Sequence, residues 1–213
     1  MLVRDWMTTH VHTATPDSSV SDVMYQMRER KITHVPVVQD EALVGIISDR
    51  DIKQYIPSKG TSLDVYELNY LLAKSKARDV MKKPVVTATP ETPVEEAAML
   101  LHDRKIGCLP VVDNGKLVGI ISDQDLYRVL IEISGVRSGG HRVSLLIEDR
   151  AGSIKDVADV LRKHGFRLQS IMSSSEKAPA GYRYIVIRTR GDGDFTAMKS
   201  ELTGYNYPLL HIV

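Results

Sequence analysis

The chain reads Val44-Gly45-Ile46-Ile47-Ser48-Asp49-Arg50-Asp51-Ile52, and it repeats this stretch almost unchanged at residues 118–126. The second copy reads Val118-Gly119-Ile120-Ile121-Ser122-Asp123-Gln124-Asp125-Leu126. In both copies an apolar, β-branched run ends in Gly-x-x-Ser-x-x-Asp. Such a run, followed by polar residues, predicts a buried strand that turns directly into a helix.

The repeat extends well beyond this stretch. Residues 4–52 align without a gap on residues 78–126, at an offset of 74 positions. The tetrapeptide Thr-Ala-Thr-Pro occurs at 13–16 and again at 87–90, and Pro-Val-Val occurs at 36–38 and 110–112. Two copies are fewer than the three or more that a solenoid needs, so we expect a closed pair of one structural unit.

Each copy predicts the element order β-α-β-β-α. A short extended piece ends at Thr-Ala-Thr-Pro, and apolar residues then recur at helical spacing, with Thr92 and Glu95 read as a capping box in the second copy. Two β-rich runs follow, joined in the second copy through residues 113–116, whose Asp-Asn-Gly-Lys sequence predicts a hairpin. A second helix begins near Asp49 or Asp123. The strands are apolar at nearly every position, which predicts a sheet covered on both faces.

The last third of the chain has a different pattern. Residues 135–141 are rich in Gly and Ser, and we interpret them as a linker. Hydrophobic patterns then predict strands at 143–147, 166–172, 182–189 and 207–213, with helices at 154–161 and 195–202. The order β-α-β-β-α-β predicts a ferredoxin-like domain.

The composition limits the classes of function. Among 213 residues, 28 basic and 27 acidic side chains give a net charge of +1, so there is no electrostatic reason to expect nucleic acid or an acidic membrane as a partner. The one cysteine, Cys108, excludes an intrachain disulfide and a Cys-rich zinc site. The N-terminal residues lack a signal-peptide pattern, and apolar runs fall far short of the ~20 residues that cross a bilayer. We therefore expect a cytoplasmic protein.

The two Ser-x-x-Asp turns, Ser48 with Asp51 and Ser122 with Asp125, allow two interpretations. The pattern caps helices, since Ser can accept a backbone hydrogen bond and Asp lies well at the positive end of the helix dipole. The same geometry suits a ligand, because the carboxylate can bind a ribose diol while free backbone N–H groups face a phosphate. The residues alone leave both interpretations open.

The succession of Met, Thr-Ala-Thr-Pro, a helix, Val-Pro-Val-Val and Val-Gly-Ile-Ile-Ser-Asp-x-Asp resembles the CBS domain, which occurs in tandem as a Bateman module. The resemblance implies an α+β fold with CBS repeats at 1–58 and 77–134, separated by a linker helix at 59–76. It also implies that clefts between the repeats bind an adenine nucleotide or another adenosyl compound. AMP, ADP, ATP and S-adenosylmethionine are the candidates, and no catalytic cofactor is implied.

The resemblance further implies roles for individual residues. Both Ser-x-x-Asp pairs match family positions that contact nucleotide ribose and phosphate. Thr15 and Thr89 match a residue that lines the adenine pocket, although a Thr before Pro also simply keeps the chain extended. Family members often combine the Thr of one repeat with the Ser and Asp of the other, which pairs Thr15 with 122–125 and Thr89 with 48–51.

The remaining candidate residues flank the β-rich runs. In the family, backbone before the strand meets the adenine edge and some basic residues at the helix end reach phosphates; these positions hold Lys31, Thr33, His34, Lys105, Gly107 and Cys108. Cations at a helix end are also commonly solvated charges that complement the dipole. Because His34 is bulkier than Cys108 and Arg50 differs from Gln124, we expect two unequal pockets.

The C-terminal third resembles the ACT domain, through the Glu-Asp-Arg-Ala-Gly-Ser-Ile turn at 148–154, the helix after it and His-Gly-Phe at 164–166. ACT domains sense small molecules, often amino acids, and usually pair with another copy. The resemblance implies an ACT domain at 142–213 and a homodimer. Ala151 stands where Pro is common and Arg167-Leu168 where Asn-Ile is common, and these departures concern ligand binding rather than the fold.

A CBS pair followed by an ACT domain resembles the acetoin utilization proteins, which implies a role in acetoin catabolism or its regulation. The sequence contains no Gly-x-Ser-x-Gly, P-loop, dinucleotide fingerprint or His-Glu-x-x-His, and His10-x-His12 lacks a third metal ligand nearby. We therefore expect a regulatory protein rather than an enzyme. Two alternatives stay open: a ligand-free dimerisation scaffold for an unknown protein partner, and an enzyme of the acetoin pathway.

Overall fold

The computed structural model describes residues 1–56, 65–205, 207 and 209–213. The chain divides into two compact units, Met1–Leu126 and Tyr127–Val213. The turn predicted at 57–60 and the first residues of the predicted linker helix, 59–64, lie outside the described residues.

The first unit contains the two copies of the repeat, and each has a long helix, a hairpin and a second helix. The first copy consists of α1 (Val20–Arg30), β1 (His34–Gln39), β2 (Ala42–Ser48) and α2 (Asp49–Tyr55). The second copy follows α3 (Val65–Lys74) and the one-turn α4 (Ala77–Val80), and consists of α5 (Val94–Arg104), β3 (Cys108–Asp113), β4 (Lys116–Ser122) and α6 (Asp123–Ser134). The boundary between the two units falls within α6.

Both hairpins close through a two-residue turn with positive φ angles. Asn114 and Gly115 have φ values of 48° and 80°, at the hairpin predicted for 113–116. In the first copy Asp40 and Glu41 have φ values of 49° and 65°. Positive φ at both central residues defines the type I′ turn, whose twist matches that of the flanking strands. The first copy reaches this geometry without glycine.

The extended piece predicted at the start of each copy does not form a continuous strand, although residues 8–14 and 82–88 are all described. In the first copy Thr8 forms a bridge with Ile120 of the second copy, whereas Ala14 forms a bridge with Val37 of its own copy. A segment whose two ends pair with different strands cannot complete one ladder. The β-α-β-β-α prediction is therefore wrong for its first strand, which is replaced by isolated bridges.

The two copies exchange their leading segments, residues 3–8 and 77–82. Ala77 N donates to Ser18 O of the first copy (2.8 Å), and Val3 N donates to Thr92 O at the equivalent place in the second (2.9 Å). Ala77 and Val80 belong to the core of the first copy, and Val3 to the core of the second. Each core is thus completed by the other copy, which explains why the pair forms one compact unit.

Glycine is required at the same position of β2 and β4, where the exchanged segments cross. A Cβ on Gly45 would lie 2.4 Å from Met81 Sδ, and a Cβ on Gly119 would lie 2.4 Å from Met7 Sδ. Both distances are far below van der Waals contact. The absent side chain therefore lets the leading methionine of one copy lie directly on the hairpin of the other.

The four strands of the first unit have the order β1-β2-β4-β3. Each hairpin is antiparallel, and the two hairpins pair with one another at Ala42 and Lys116, close to their turns. Their other ends carry Ser48 and Ser122 and lead into α2 and α6. Those ends position the candidate ligand residues.

The second unit confirms the predicted order β-α-β-β-α-β. Its elements are β5 (Arg142–Glu148), α7 (Ser153–Lys163), β6 (Arg167–Ser174), β7 (Tyr182–Arg190), α8 (Phe195–Gly204) and β8 (Leu209–Ile212). All neighbouring strands are antiparallel, in the order β6-β7-β5-β8, which is the ferredoxin-like arrangement. Alternate residues of the central strands, such as Leu145 and Ile185, are fully buried with Leu161 and Met198 of the helices.

Candidate ligand-binding clefts

Two open cavities of about 450 and 360 Å³ lie in the first unit, where the Ser-x-x-Asp turn of one copy meets the leading segment of the other. We call cleft A the cavity that contains Ser48 and Asp51 together with Lys82 and residues 84–86. We call cleft B the cavity that contains Ser122 and Asp125 together with Thr8 and residues 10–12. Both volumes lie within the roughly 300–1,000 Å³ that small-molecule sites occupy.

The two clefts are built from equivalent positions of the repeat. Every residue that lines cleft B lies 74 positions away in sequence from a residue that lines cleft A. The exchange of leading segments is the cause, because it carries residues 8–12 into the second copy and residues 82–86 into the first. Each cleft therefore combines residues of both copies.

The Ser and Asp side chains cap the helices that follow them. Ser48 Oγ accepts a hydrogen bond from Asp51 N (3.1 Å), and Asp51 Oδ2 accepts one from Ser48 N (2.8 Å). The corresponding distances between Ser122 and Asp125 are 3.4 and 2.9 Å. The capping interpretation is confirmed, yet these bonds use a single carboxylate oxygen, Oδ2, in each copy.

In cleft A the other carboxylate oxygen of Asp51 faces a cation from the second copy. Asp51 Oδ1 lies 3.9 Å from Lys82 Nζ, and the Asp51 side chain is only 14% exposed, against 66% for Lys82. The backbone of Lys82 is fixed by two hydrogen bonds with Ile46, of 2.8 and 3.2 Å. Cleft A thus holds a largely buried carboxylate beside a lysine whose side chain is accessible to a ligand.

Both clefts share a floor, formed by Thr33, His34, Gly107, Cys108 and Asp123. Backbone hydrogen bonds fix this floor to the helices, from Asp49 N to Thr33 O (2.9 Å) and from Asp123 N to Gly107 O (3.1 Å). Residues 33–34 and 107–108 were predicted to meet the ligand base. Their position at the floor of both clefts places their backbone within reach of either cavity.

His34 fits into the floor because its neighbour has no side chain. A Cβ on Gly107 would lie 2.8 Å from His34 Cε1, and His34 Nδ1 lies 2.9 Å from Thr33 Oγ1. Burial lowers the pKa of His34, and the nearby carboxylates of Asp49 and Asp123 act in the opposite direction without cancelling that effect. Burial therefore favours the neutral form of the imidazole.

Cys108 occupies the position of His34 in the second copy. It is 4% exposed, and burial, assisted by the Asp123 carboxylate, raises the pKa of its thiol to about 12. A thiol of this kind is neither a nucleophile nor a metal ligand at neutral pH, since both roles need the thiolate. Cys108 therefore acts as a small apolar side chain in the floor.

The clefts bring together most of the residues predicted from the sequence: Lys31, Thr33, His34, Ser48, Asp51, Lys105, Gly107, Cys108, Ser122 and Asp125. Thr15 and Thr89 are exposed and line neither cleft. Thr15 N donates to Ser18 Oγ (3.0 Å), and Thr89 N donates to Thr92 Oγ1 (2.9 Å). The structure does not join Thr15 to cleft B or Thr89 to cleft A.

The structure also differs from the prediction that Thr92 caps α5. The N-cap residue of α5 is Pro93, which makes no side-chain capping bond, and Thr92 Oγ1 instead accepts from Thr89 N. A local turn after Thr-Ala-Thr-Pro competes with the helix for this hydroxyl. The capping box predicted for Thr92 and Glu95 is therefore wrong.

The sequence interpretation missed the segments that form the outer wall of each cleft. These are Lys82 and residues 84–86 in cleft A, and Thr8 and residues 10–12 in cleft B. They lie between the aligned Met and the aligned Thr-Ala-Thr-Pro of each copy. The alignment itself contained the signal, since this is a stretch where the two copies diverge within an otherwise well-matched repeat.

In the described part of the chain, no group of three or more His, Cys, Asp or Glu side chains lies close enough to hold a metal ion. This includes the surroundings of His10 and His12. None of the helices formed by the described residues is long and apolar enough to cross a membrane.

The fold and the clefts define a closed pair of α/β repeats with two equivalent cavities at the contact between the copies. The sequence model of the CBS domain matches residues 3–58 and 77–132, which together are more than half of the chain. The chain therefore belongs to the CBS-domain family, and its first unit is a tandem CBS pair.

Curated relatives share this region. An uncharacterized protein of Methanopyrus kandleri, MK0525, is 36% identical over 121 residues, which are 56% of this chain and 57% of that protein. The CBS domain-containing protein YhcV of Bacillus subtilis is 30% identical over 58% of this chain and 81% of its own length. A homoserine O-acetyltransferase of Methanohalobium evestigatum is 31% identical, but the match covers only 24% of that enzyme. The shared region is thus about half of one relative and a quarter of another.

Solved structures match the same part of the chain. An acetoin utilization protein, AcuB, from Vibrio cholerae is 32% identical with a TM-score of 0.55, and the match covers 65% of this chain and 96% of that one. CBSX2 in complex with AMP is 33% identical with a TM-score of 0.52, over 62% of this chain and 97% of that one. The CBS pair of protein MJ0100, in complex with 5′-methylthioadenosine and S-adenosylmethionine, is 26% identical with a TM-score of 0.50, over 61% and 95%.

Proposed function

We propose that this protein is a regulatory sensor whose CBS pair binds adenosyl ligands in clefts A and B. The observation that carries the proposal is the meeting, in each cleft, of a capped Ser-x-x-Asp carboxylate with a wall from the other copy. Two structurally similar CBS proteins are known in complex with AMP, and with 5′-methylthioadenosine and S-adenosylmethionine. These ligands have the adenosine group in common.

Each part of an adenosyl ligand has a chemically matched partner in the clefts. The apolar side chains Ile46 and Val85 in cleft A, and their equivalents Ile120 and Val11 in cleft B, can cover the face of the base. The Asp carboxylate can accept hydrogen bonds from the ribose hydroxyls, which are stronger when the acceptor is charged. Lys105 of cleft A then supplies positive charge for a phosphate, and Lys31 holds the equivalent position in cleft B.

Binding of this kind gives a regulatory response because a ligand in either cleft contacts both copies. A ligand shifts an equilibrium between two packings of the copies only as far as it binds one better than the other, and such couplings are typically about 1–3 kcal/mol. Helix α6 begins with Asp123 in the floor of the clefts and ends at Ser134, beyond the boundary of the first unit. We propose that α6 and the segment after it, 134–140, carry the signal.

The second unit is proposed to be an ACT domain that serves as a further sensing or dimerisation module. Its ferredoxin-like strand order supports this, together with Gly152, which begins α7 in a left-handed conformation (φ 88°) after the Asp149 turn. Since CBS pairs and ACT domains both tend to self-associate, we propose a homodimer. Light scattering that gives the mass of a single chain, 23.8 kDa, would contradict the dimer.

A link to acetoin catabolism is the most specific part of the proposal. It is supported by the similarity to AcuB of Vibrio cholerae, which covers 65% of this chain. We also propose that the role of the protein is regulatory rather than catalytic and that the protein is cytoplasmic. Deleting the gene should slow the consumption of acetoin by the host, and unchanged consumption would contradict the link while leaving the adenosyl binding intact.

Isothermal titration calorimetry with AMP, ADP, ATP, S-adenosylmethionine and 5′-methylthioadenosine tests the binding. Saturable binding of at least one compound is expected, with GTP and inorganic tripolyphosphate as controls that lack the adenosine group. Absence of binding by every adenosyl compound would contradict the sensor. Capture of a stable partner protein regardless of nucleotide would then favour the scaffold, and turnover of acetoin or nucleotide by the purified chain would favour an enzyme.

A further inference from the structure

The two clefts differ in charge, although their positions are equivalent. Lys82 of cleft A corresponds to Thr8 of cleft B, and Arg50 corresponds to Gln124. The cations lining cleft A are Arg50, Lys82 and Lys105, whereas the cation lining cleft B is Lys31. Within the matched set of positions, cleft B thus has two neutral side chains where cleft A has two positive ones.

The acidic side chains do not remove this difference. Cleft A is lined by Asp49, Asp51 and Asp123, and cleft B by Asp123 and Asp125. By count of the lining side chains, cleft A therefore has three cations against three carboxylates, whereas cleft B has one lysine against two carboxylates.

The additional cations of cleft A lie beside the residues proposed to hold the ribose. Lys82 Nζ is 3.9 Å from Asp51 Oδ1, on the carboxylate edge that the helix cap leaves open. Arg50 is adjacent to Asp51 in the chain and is close enough to the floor that its charge contributes to the lowered pKa of His34. Both side chains are exposed and flexible, so they can reach groups attached to the ribose.

The outer walls of the two clefts also differ in polarity. Cleft A has the apolar Pro84 and Val86, and cleft B has His10 and His12 at the equivalent positions. An imidazole can accept a hydrogen bond in its neutral form and can stack on flat or cationic groups, which an apolar wall cannot do. Cleft B therefore has two imidazoles in its outer wall, where the outer wall of cleft A is apolar at the equivalent positions.

We infer, on the basis of the proposed adenosyl binding, that one chain binds two different ligand classes. Cleft A takes an adenosine polyphosphate, and cleft B takes an adenosyl compound without phosphates, either neutral or with a sulfonium cation. A polyphosphate brings several negative charges, which Arg50, Lys82 and Lys105 can contact with charge-assisted hydrogen bonds. The same cations repel a sulfonium, whereas the carboxylates of cleft B attract one.

Exchange of the differing residues between the clefts tests this inference. The double substitution Arg50→Gln with Lys82→Thr gives cleft A the polar set of cleft B, and Gln124→Arg with Thr8→Lys makes the reverse change. All four side chains are exposed, so neither variant removes a core contact. Titration calorimetry with ATP and with S-adenosylmethionine, on the full chain, measures affinity and stoichiometry in each variant.

The first variant should weaken ATP binding about tenfold or more, because it removes two side chains that can form charge-assisted hydrogen bonds with the phosphates. Its affinity for S-adenosylmethionine should stay the same or rise. The second variant should gain a second ATP site and lose affinity for S-adenosylmethionine. ATP affinity in the wild type should also fall with added KCl, because exposed charges are screened.

Single substitutions assign the sites, since Asp51→Ala should affect ATP and Asp125→Ala should affect S-adenosylmethionine. Two equal ATP sites in the wild type, or an ATP affinity unchanged in the first variant, would overturn the division of ligands and leave adenosyl binding intact. A wild type that binds neither compound, nor AMP, nor 5′-methylthioadenosine, would overturn the proposed function itself. The two failures are therefore distinguishable from the wild-type titrations alone.

Discussion

Cleft A and cleft B have the same framework and different rims. The framework consists of the glycine in the strand, the methionine that packs on it and the Ser-x-x-Asp cap, and it is identical in both copies. The rim positions hold Lys82, Arg50 and Pro84 in cleft A but Thr8, Gln124 and His10 in cleft B. The comparison teaches that the residues which fix the backbone are the same in both copies, whereas the two copies differ at several positions of the rim.

The two copies also differ at the floor that the two clefts share. His34 and Cys108 are equivalent positions, yet one is an imidazole against Gly107 and the other a buried thiol. Because both residues line both clefts, the two sites are not independent. A change at this floor is expected to affect both cavities, whereas a change at a rim is expected to affect one.

The largest expected effect concerns the chemical reactivity of Cys108. With a pKa of about 12, few of the thiols are ionised at pH 8, and the folded protein should react with Ellman's reagent on the order of a hundredfold more slowly than the urea-unfolded chain. The comparison is made by following absorbance with and without denaturant. A folded protein that reacts as fast as the unfolded chain would show that the floor is open and that Cys108 is not part of a packed interior.

The next effect concerns the ribose-binding carboxylates. Replacing Asp125 by Ala should weaken binding at cleft B by about 10–100-fold, or roughly 1–3 kcal/mol, and Asp51→Ala should do the same at cleft A. Titration calorimetry measures each, with thermal unfolding as a check on the lost cap. Asp51→Asn is the matched control, since it retains an acceptor for the cap. Unchanged affinity in the Ala variants would mean that these residues serve only as helix caps.

The framework should respond equally in the two copies. Gly45→Ala and Gly119→Ala should each lower the free energy of unfolding by about 1–3 kcal/mol, because the new methyl group overlaps a methionine side chain. Urea denaturation measures the loss, and Gly204→Ala, with no atom within 4 Å of the new Cβ, is the control with little effect.

A second substitution, at the methionine that contacts each glycine, tests the same comparison further. Shortening Met81 to Ala should restore part of the stability lost in Gly45→Ala, and Met7→Ala should do so for Gly119→Ala, as expected for residues in direct contact. Losses that differ strongly between the copies, or no rescue in either, would show that the two frameworks are not equivalent.

Much of this fold followed from the sequence, because an ungapped repeat, a hairpin signal at 113–116 and clear helical periodicity are local features. The cleft positions of Ser48 and Asp51 were implied by the family resemblance, whereas the residues alone left the capping and the ligand interpretations open. The exchange of leading segments did not follow, because a short segment that pairs first with one copy and then with the other leaves no periodic pattern. For that reason the prediction includes Thr15 among the cleft residues and does not include Lys82.

The smallest expected effect is a difference in how the two floor residues couple stability to pH. Burial lowers the pKa of His34 below the ordinary 6.5, so between these two values the unfolded chain binds more protons than the folded chain. The free energy of unfolding should therefore rise with pH through this window. Full stability is present above pH 6.5, and it is lost as the pH falls through the lowered value.

The thiol of Cys108 should act in the opposite direction. Its pKa is raised from 9.0 to about 12, so above pH 9.0 the unfolded chain releases a proton that the folded chain keeps, and stability should fall. Urea unfolding across pH 5–10 measures both slopes; His34→Gln should flatten the acid one and Cys108→Ser the alkaline one. If each substitution left its slope unchanged, other groups would control the pH dependence, and the floor residues would differ in shape alone.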